Sequence, residues 1–248
     1  MQAVSNTPST LDDILALALR EPFVRIKPFL GPNGERLWLK RIEALSLRLR
    51  LQKGDGQRAF QNELNALHVL AKAGLPVPEI LAEGPDHFVI SDVGPTLAHL
   101  LRSSATAFAK RAAAFRAAGS AIGRLHSAGF AHGRPAIRDI CWDGDEARFI
   151  DLEQFSDQRR SARNRAMDVI MFTQTYMTET GASGPCLDVA IEAYRAAAPA
   201  GAMQNVRDLA GWLAPIAPLT APVRWLRPSS KEFKAVPLTL AYLRNQAV

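Results

Sequence analysis

The pattern of apolar and polar positions divides the chain into a β-rich first part and a helical second part. FVRIKPFL (23–30) and RLWLKRI (36–42) flank the segment GPNGE, whose Asn33-Gly34 pair is typical of a tight turn, so they predict a β-hairpin. Residues 59–73 carry apolar side chains at helical spacing, and Gly74 ends the predicted helix. HFVISDVG (87–94) then predicts a strand that runs into a connector.

Helical patterns dominate after this connector. Residues 96–101 predict a short helix, and residues 108–127 predict a long, alanine-rich one. Before the hairpin, LDDILALALR follows Ser9 and Thr10, and either residue suits a helix N-cap. Strands first and helices afterwards predict an α+β fold, with a small N-terminal lobe over 1–93 and a larger helical C-terminal lobe over 94–248.

Composition excludes a disordered protein, because 48% of the 248 residues are hydrophobic. The formal net charge of +6 favours anionic partners, although a basic, solvated enzyme surface is an equally simple interpretation. Two cysteines form no disulfide or metal pattern, which favours a reducing cytoplasm. We expect no signal peptide at the N-terminus, and the apolar segment 209–223 is too short and proline-rich for a transmembrane helix.

One pair of motifs carries most of the functional information. In HGRPAIRDI, His132 is followed by Arg134 and, seven positions after the histidine, by Asp139. Shortly afterwards FIDLE places Asp151 at the end of an apolar run. Together with FQNELNALHVLAKAGLPVPEIL and LHSAGFAHG, in this order, these segments resemble the protein-kinase-like superfamily over residues 24–176. The similarity is to its small members: the lipopolysaccharide-core (Kdo and heptose) kinases, the kinase-like subunit of the KEOPS complex and the RIO kinases.

The resemblance implies a bilobal kinase-like fold with a reduced β-rich lobe, and it implies an ATP site. Lys40 corresponds to the lysine that contacts the α and β phosphates, and Glu63 to the glutamate that pairs with it. Backbone groups of Ser91, Asp92 and Val93 correspond to the connector that binds adenine. Without the resemblance, Lys40 and Glu63 are equally well an exposed strand lysine and a helix-surface glutamate.

The resemblance also implies Mg²⁺. Asp151 and Asp139 correspond to its two ligands, and carboxylate oxygens suit a hard cation. Asp168 corresponds to the aspartate that braces the catalytic loop, and His132 to the loop histidine, which organises the turn. A glycine-rich phosphate loop is missing; the turn GPNGE either covers the nucleotide in reduced form or is only a turn.

Arg134 is the departure from the pattern, since it stands where the catalytic aspartate is expected. Arginine cannot accept a proton at neutral pH. Three hypotheses follow: a pseudokinase that binds nucleotide and acts as a partner or scaffold, phosphoryl transfer without that base and with Arg134 stabilising the transferred group, or replacement of the base by Asp139 or Glu153. The leading interpretation is an ATP- and Mg²⁺-dependent phosphotransferase for a sugar or Ser/Thr hydroxyl; a KEOPS-like RNA-associated accessory protein is a further alternative.

Two basic regions predict partners for this candidate kinase. Arg159, Arg160, Arg163 and Arg165 follow FIDLE and favour an anionic acceptor, such as a phosphorylated glycan (lipopolysaccharide core), a protein or RNA, unless the loop is merely solvated. A second cluster combines aromatic and basic residues: Trp212, Arg224, Trp225, Arg227, Lys231 and Lys234. It predicts either peripheral contact with the inner face of a membrane or tryptophans packed into the helical lobe. The predicted catalytic residues are those of the HGRPAIRDI segment: His132, Arg134 and Asp139.

Overall fold

A small antiparallel sheet and a larger set of helices make up the computed structural model, which describes residues 10–42, 56–158, 160–220 and 229–246. The strands are β1 (Ile26–Leu30), β2 (Arg36–Arg41), β3 (Ile80–Glu83), β4 (His87–Ser91), β5 (Ile140–Trp142) and β6 (Ala147–Phe149). The α-helices are α1 (Leu11–Arg20), α2 (Gly56–Lys72), α3 (Leu97–Arg102), α4 (Phe108–Ser127), α5 (Ala162–Thr180), α6 (Pro185–Ala197), α7 (Ala202–Leu213) and α8 (Lys231–Arg244). Two 3₁₀ turns cover Leu152–Gln154 and Ala214–Thr220.

The N-terminal sheet is antiparallel throughout, in the order β1-β2-β4-β3. The predicted hairpin is confirmed: Ile26 pairs with Lys40, and Gly34 adopts the positive φ of 78° that its turn requires. Alternation along β2 then separates two faces. Leu37 and Leu39 are buried with α1 on one face, and Lys40 lies on the opposite, cleft-facing side.

Helix α1 covers the outer face of this sheet. Its N-cap is Thr10, whose hydroxyl accepts a hydrogen bond of 3.2 Å from the backbone of Asp13. Leu15 and Ala18 point to the sheet and are buried with Val89 of β4. On the other side of the sheet α2 packs through Phe60, whose ring centroid lies 5.0 Å from that of Phe88. The sheet is therefore held between two helices.

The helical lobe is built around the long helices α4, α5 and α6. Helices α4 and α6 approach so closely at Gly119 that a Cβ atom there would lie 2.0 Å from the carbonyl oxygen of Ala190. The loop before β5 is attached to α3, since Ala98 donates to the carbonyl of Ile137 at 3.0 Å, and the hairpin β5–β6 is extended by Ile150, which donates to the carbonyl of Asp139 at 2.9 Å. These bonds fix the segment that carries the motifs.

The expected α+β arrangement is confirmed, with a small β-rich part first and a larger helical part after it. The predicted helix over 59–73 occupies 56–72, and the predicted strand over 87–94 ends at Ser91. The boundary at residue 93 falls on the connector between β4 and α3 and stays a prediction. No helix among the described residues combines the length and apolar character needed to cross a membrane.

Candidate functional site

A cavity of about 580 Å³ lies between the sheet and the helical lobe, and it brings together residues that are far apart in sequence. The predicted site residues in its lining are Lys40, Ser91, Val93, Arg134, Asp139 and Asp151. Three charged or aromatic residues that the sequence did not mark also line it, Arg25, Trp38 and Arg138, together with Glu153, the candidate replacement base. Three further predicted residues lie outside the lining and contact or support the residues that form it: Glu63, Asp92 and His132.

Lys40 and Glu63 form an ion pair, as the resemblance implied, in which the lysine Nζ donates to Glu63 Oε1. The pair joins β2 to α2 across the top of the cavity. Glu63 is only 5% exposed, so its carboxylate depends on the lysine for compensation of its buried charge. Lys40 is thereby held with its ammonium group at the cavity wall.

The connector after β4 is held by its own hydrogen bonds. Asp92 accepts from the backbone of Gly94 at 2.7 Å and from the indole of Trp38 at 3.1 Å, so its carboxylate shapes the connector and does not enter the cavity. The Asp92 N–H donates to Arg36 O at 3.3 Å. Among the described residues, the Val93 N–H has no hydrogen-bond partner, which makes it the connector donor available to a ligand.

Trp38 was missed, although alternation could have identified it. It precedes Lys40 by two positions on β2 and therefore lies on the same face of the strand. Its indole N–H donates to Asp92, and the Arg36 guanidinium lies over its ring, 4.6 Å from the centroid. A flat, immobilised aromatic side chain next to the connector is suited to contact a planar base.

Asp139 and Asp151 provide two carboxylates at the base of the cavity. Asp151 ends the β6 segment in a left-handed conformation with φ of 56°, the single non-glycine residue with positive φ in the described part of the chain. Such backbone strain is concentrated at functional sites. Asp139 is 3% exposed, and burial, followed by repulsion from Asp151, raises its pKa to about 6.

These two carboxylates fit a divalent cation. Asp139 Oδ2 is buried without a hydrogen-bond partner among the described residues, and a cation would supply the missing interaction. The described part of the chain contains no group of three or more acidic, histidine or cysteine ligands. Mg²⁺ bound here would therefore take its remaining ligands from phosphate oxygens and water, as Mg²⁺ commonly does.

The loop over residues 132–139, which the resemblance identifies as the catalytic loop, is braced from behind by Asp168 of α5. Its carboxylate accepts hydrogen bonds from the backbones of His132 and Gly133, at 2.6 and 3.0 Å, and contacts His126 at 3.3 Å. His132 is 1% exposed, and burial lowers its pKa. Its neutral ring packs edge-on against Phe149, so His132 supports the loop and does not reach the cavity.

Arg134 and Arg138 are the exposed basic residues of the loop. Within the described chain, Arg134 has no carboxylate within 4.0 Å, whereas Arg138 lies 3.5 Å from Asp139 Oδ1. Both side chains line the cavity. A guanidinium group therefore occupies the wall where the resemblance places a proton acceptor.

The mouth of the cavity carries an ion pair between Arg25, just before β1, and Glu153. The two residues are 128 positions apart, and no local pattern marks Arg25. Burial raises the pKa of Glu153, and Arg25 opposes this shift. The pair links the start of the sheet to the segment after β6.

The arginine loop after FIDLE does not point into the cavity. Arg160 lies over the ring of Phe130 at 4.6 Å and donates to Asp157 O at 2.6 Å, and Arg163 lies over the ring of Trp212 at 4.9 Å. Arg165 donates to the carbonyl of Arg160. These groups are engaged with the protein itself. Arg159 and the basic aromatic residues 224, 225 and 227 lie outside the described residues.

Comparison with known proteins places these features in a family context. The model of the phosphotransferase enzyme family APH matches residues 25–206. An uncharacterized protein of Haemophilus influenzae is 33% identical over 155 residues, which cover 62% of this chain and 64% of that protein.

Solved structures resemble the chain at lower similarity. The macrolide 2′-phosphotransferase MphH of Brachybacterium faecium is 12% identical, with a TM-score of 0.49, covering 93% of this chain and 98% of MphH. The bifunctional kinase-methyltransferase WbdD is 13% identical, with a TM-score of 0.46, covering 71% of this chain and 43% of WbdD.

Proposed function

Because the chain belongs to the APH phosphotransferase enzyme family, we propose that it transfers the γ-phosphoryl group of ATP to a hydroxyl group of an acceptor. A single observation carries this proposal. One cavity has the paired Lys40 on its sheet side and the carboxylates of Asp139 and Asp151 on its helical side. The cavity has a volume of about 580 Å³ and carries a lysine on one side and two carboxylates on the other, which suits a triphosphate that carries a bound cation.

Each residue contributes a distinct interaction with the nucleotide. Lys40, positioned by Glu63, neutralises phosphate charge. The Val93 N–H and the indole of Trp38 contact the base. Asp139 and Asp151 would hold Mg²⁺, which would neutralise phosphate charge when bound. The fixed loop geometry set by Asp168 keeps Asp139 in place, which lowers the reorganisation needed during transfer.

Transfer itself does not require a strong base. The acceptor oxygen forms a bond to the γ-phosphorus while the bond from that phosphorus to the β–γ bridging oxygen breaks, and ADP leaves with the electron pair. Because the transition state is loose, the acceptor hydroxyl becomes acidic late, and its proton passes to water at the open cavity. Arg134 stabilises the transferred group by its positive charge.

A second candidate function is a nucleotide-binding pseudokinase. The observation that favours it is Arg134 itself, a permanent cation in the position of the expected proton acceptor. The two candidates share the nucleotide site and differ only in turnover, so the same measurements separate them.

The test combines binding and transfer. We expect the purified protein to gain thermal stability with MgATP and to transfer γ-phosphate to a hydroxyl acceptor in a broad panel. Asp151→Asn, which keeps a residue tolerant of positive φ, should reduce transfer by about a hundred- to thousandfold. Asp145→Asn, an exposed acid in the β5–β6 turn, is the matched control and should leave transfer unchanged.

Nucleotide binding without transfer or autophosphorylation would select the pseudokinase. A protein that shows no stabilisation by MgATP at any concentration tested contradicts both candidates.

A further inference from the structure

A second cavity, of about 410 Å³, lies on the far side of the catalytic loop. It is bounded by that loop and by α3, α5 and α8. Arg134 and Arg138 line both this cavity and the nucleotide cavity, so the two spaces meet at these side chains. A molecule bound in the second cavity is thereby brought next to the end of a bound triphosphate.

The charged groups of the second cavity leave the loop arginines available. Arg102 is paired with Glu179 at 3.0 Å. Glu232 lies near the N-terminus of α8, where it accepts from the hydroxyl of Ser230 at 3.1 Å. Among the described residues Arg134 has no carboxylate within 4.0 Å, and the carboxylate near Arg138 is Asp139, which belongs to the nucleotide side. The lining therefore holds three arginines against two glutamates, Glu179 and Glu232, and its formal charge is positive by one.

The polar side chains of the wall are largely occupied. Thr175 accepts from the backbone of Ile137 at 3.1 Å and donates to Phe172 O at 3.0 Å. Gln174 donates to Glu232 O at 2.7 Å and so ties α5 to α8. The remaining contact surface is apolar and comes from Met171, Phe233 and Val236. A ligand is offered an apolar wall on one side and two guanidinium groups on the other.

We infer that this second cavity is the acceptor site and that it takes a small hydroxylated molecule with a carboxylate or phosphate group, held by Arg134 and Arg138. The inference rests on the proposed function. Guanidinium groups bind carboxylate and phosphate by paired, charge-assisted hydrogen bonds. The volume suits a small molecule more than a protein segment. Arg134, which stands in the position of the expected base, then has a role of its own: it orients an anionic acceptor.

The test uses ligands that share one ring and differ in charge. Binding of glucose, glucosamine, glucuronate and glucose 6-phosphate to the full chain is measured by calorimetry, without nucleotide and again with a saturating non-hydrolysable ATP analogue. We expect the two anionic sugars to bind more tightly than the neutral one, and the cationic one to bind least. Comparison of glucuronate with glucose 6-phosphate distinguishes a carboxylate from a phosphate site.

Variants locate the site. Arg134→Gln and Arg138→Gln should each weaken binding of the anionic sugars about ten- to hundredfold and leave glucose unchanged. Arg116→Gln, an exposed arginine of α4 outside both cavities, should change nothing. Phe233→Ala, which alters only the apolar wall of the second cavity, should weaken all the sugars and keep their order.

Equal binding of all the sugars, a preference that survives both arginine substitutions, or insensitivity to Phe233→Ala would overturn the inference. These results are independent of the proposed function, because MgATP binding and transfer are measured separately. Loss of nucleotide binding in a protein that still prefers anionic sugars would contradict the proposed function and leave the anion site standing.

Discussion

The two sides of the catalytic loop differ in how their charges are held. On the proposed nucleotide side Lys40 is bound to Glu63, and the carboxylate of Asp139 is buried next to Asp151. On the other side Arg134 and Arg138 are exposed and loosely held. Buried, mutually dependent charges are costly to alter, whereas exposed ones are cheap. Substitutions on the proposed nucleotide side should therefore change both nucleotide binding and the free energy of unfolding. Substitutions of the exposed arginines in the second cavity should change ligand binding alone.

Breaking the Lys40–Glu63 pair should have the largest effect. Lys40→Met leaves the carboxylate of Glu63 buried and unpaired, which we expect to lower the free energy of unfolding by about 3 kcal/mol and to abolish MgATP stabilisation. Adding Glu63→Leu should restore most of the stability and none of the nucleotide binding. Denaturant unfolding and thermal shift measure the two effects. Recovery of both properties in the double variant would mean that Lys40 does not contact the nucleotide.

The pH dependence of stability should distinguish the two sides next. The pKa of Asp139 in the folded protein, about 6, lies above its ordinary value of 3.8, so the folded state binds a proton that the unfolded state has released. Without divalent cations, stability should therefore fall as the pH rises from about 4 to about 6, by at most about 3 kcal/mol. Asp139→Asn should remove this slope, which denaturant unfolding across pH measures.

The same titration bears on ligands. Mg²⁺-dependent nucleotide binding should weaken as the pH falls through 6, because protons compete for Asp139. Arg134 and Arg138 stay charged throughout, so the preference for glucuronate over glucose should change little in this range. A glucuronate preference that follows the titration of Asp139 would show that the two sides are not separate.

The smallest effects should distinguish the two groups of arginines. Arg160→Gln removes a cation–π contact with Phe130 and should cost about 0.5 to 1 kcal/mol of stability, without changing sugar binding. Arg138→Gln should weaken binding of the anionic sugars and leave stability unchanged, since its side chain is mostly exposed. Unfolding free energies and calorimetric affinities of both variants provide the check. If Arg160→Gln weakens binding of the anionic sugars, the loop after FIDLE takes part in acceptor binding.

Several residues that the sequence predicted for a nucleotide site line one cavity or pair with its lining, because they lie in locally readable elements. Lys40 ends an alternating strand, Glu63 lies within a periodic helix, and Asp151 follows an apolar run. The arginine loop was different. Four arginines in one segment favoured an acceptor contact, but Phe130 and Trp212 lie far away in sequence, and they bind Arg160 and Arg163. No local pattern predicts such partners.

The sequence by itself determined the order of elements, the residue types that Lys40, Glu63, Asp139 and Asp151 bring to the first cavity, and the presence of an arginine at position 134. These features depend on residue type and on short-range spacing, which set backbone preference and the direction of side chains. Only the tertiary structure decided where the remaining charges point. It brought Arg25 to Glu153, folded the later arginines onto the protein and placed Arg134 and Arg138 between two cavities. Those outcomes depend on packing between segments that are distant in sequence, and packing is a property of the whole fold.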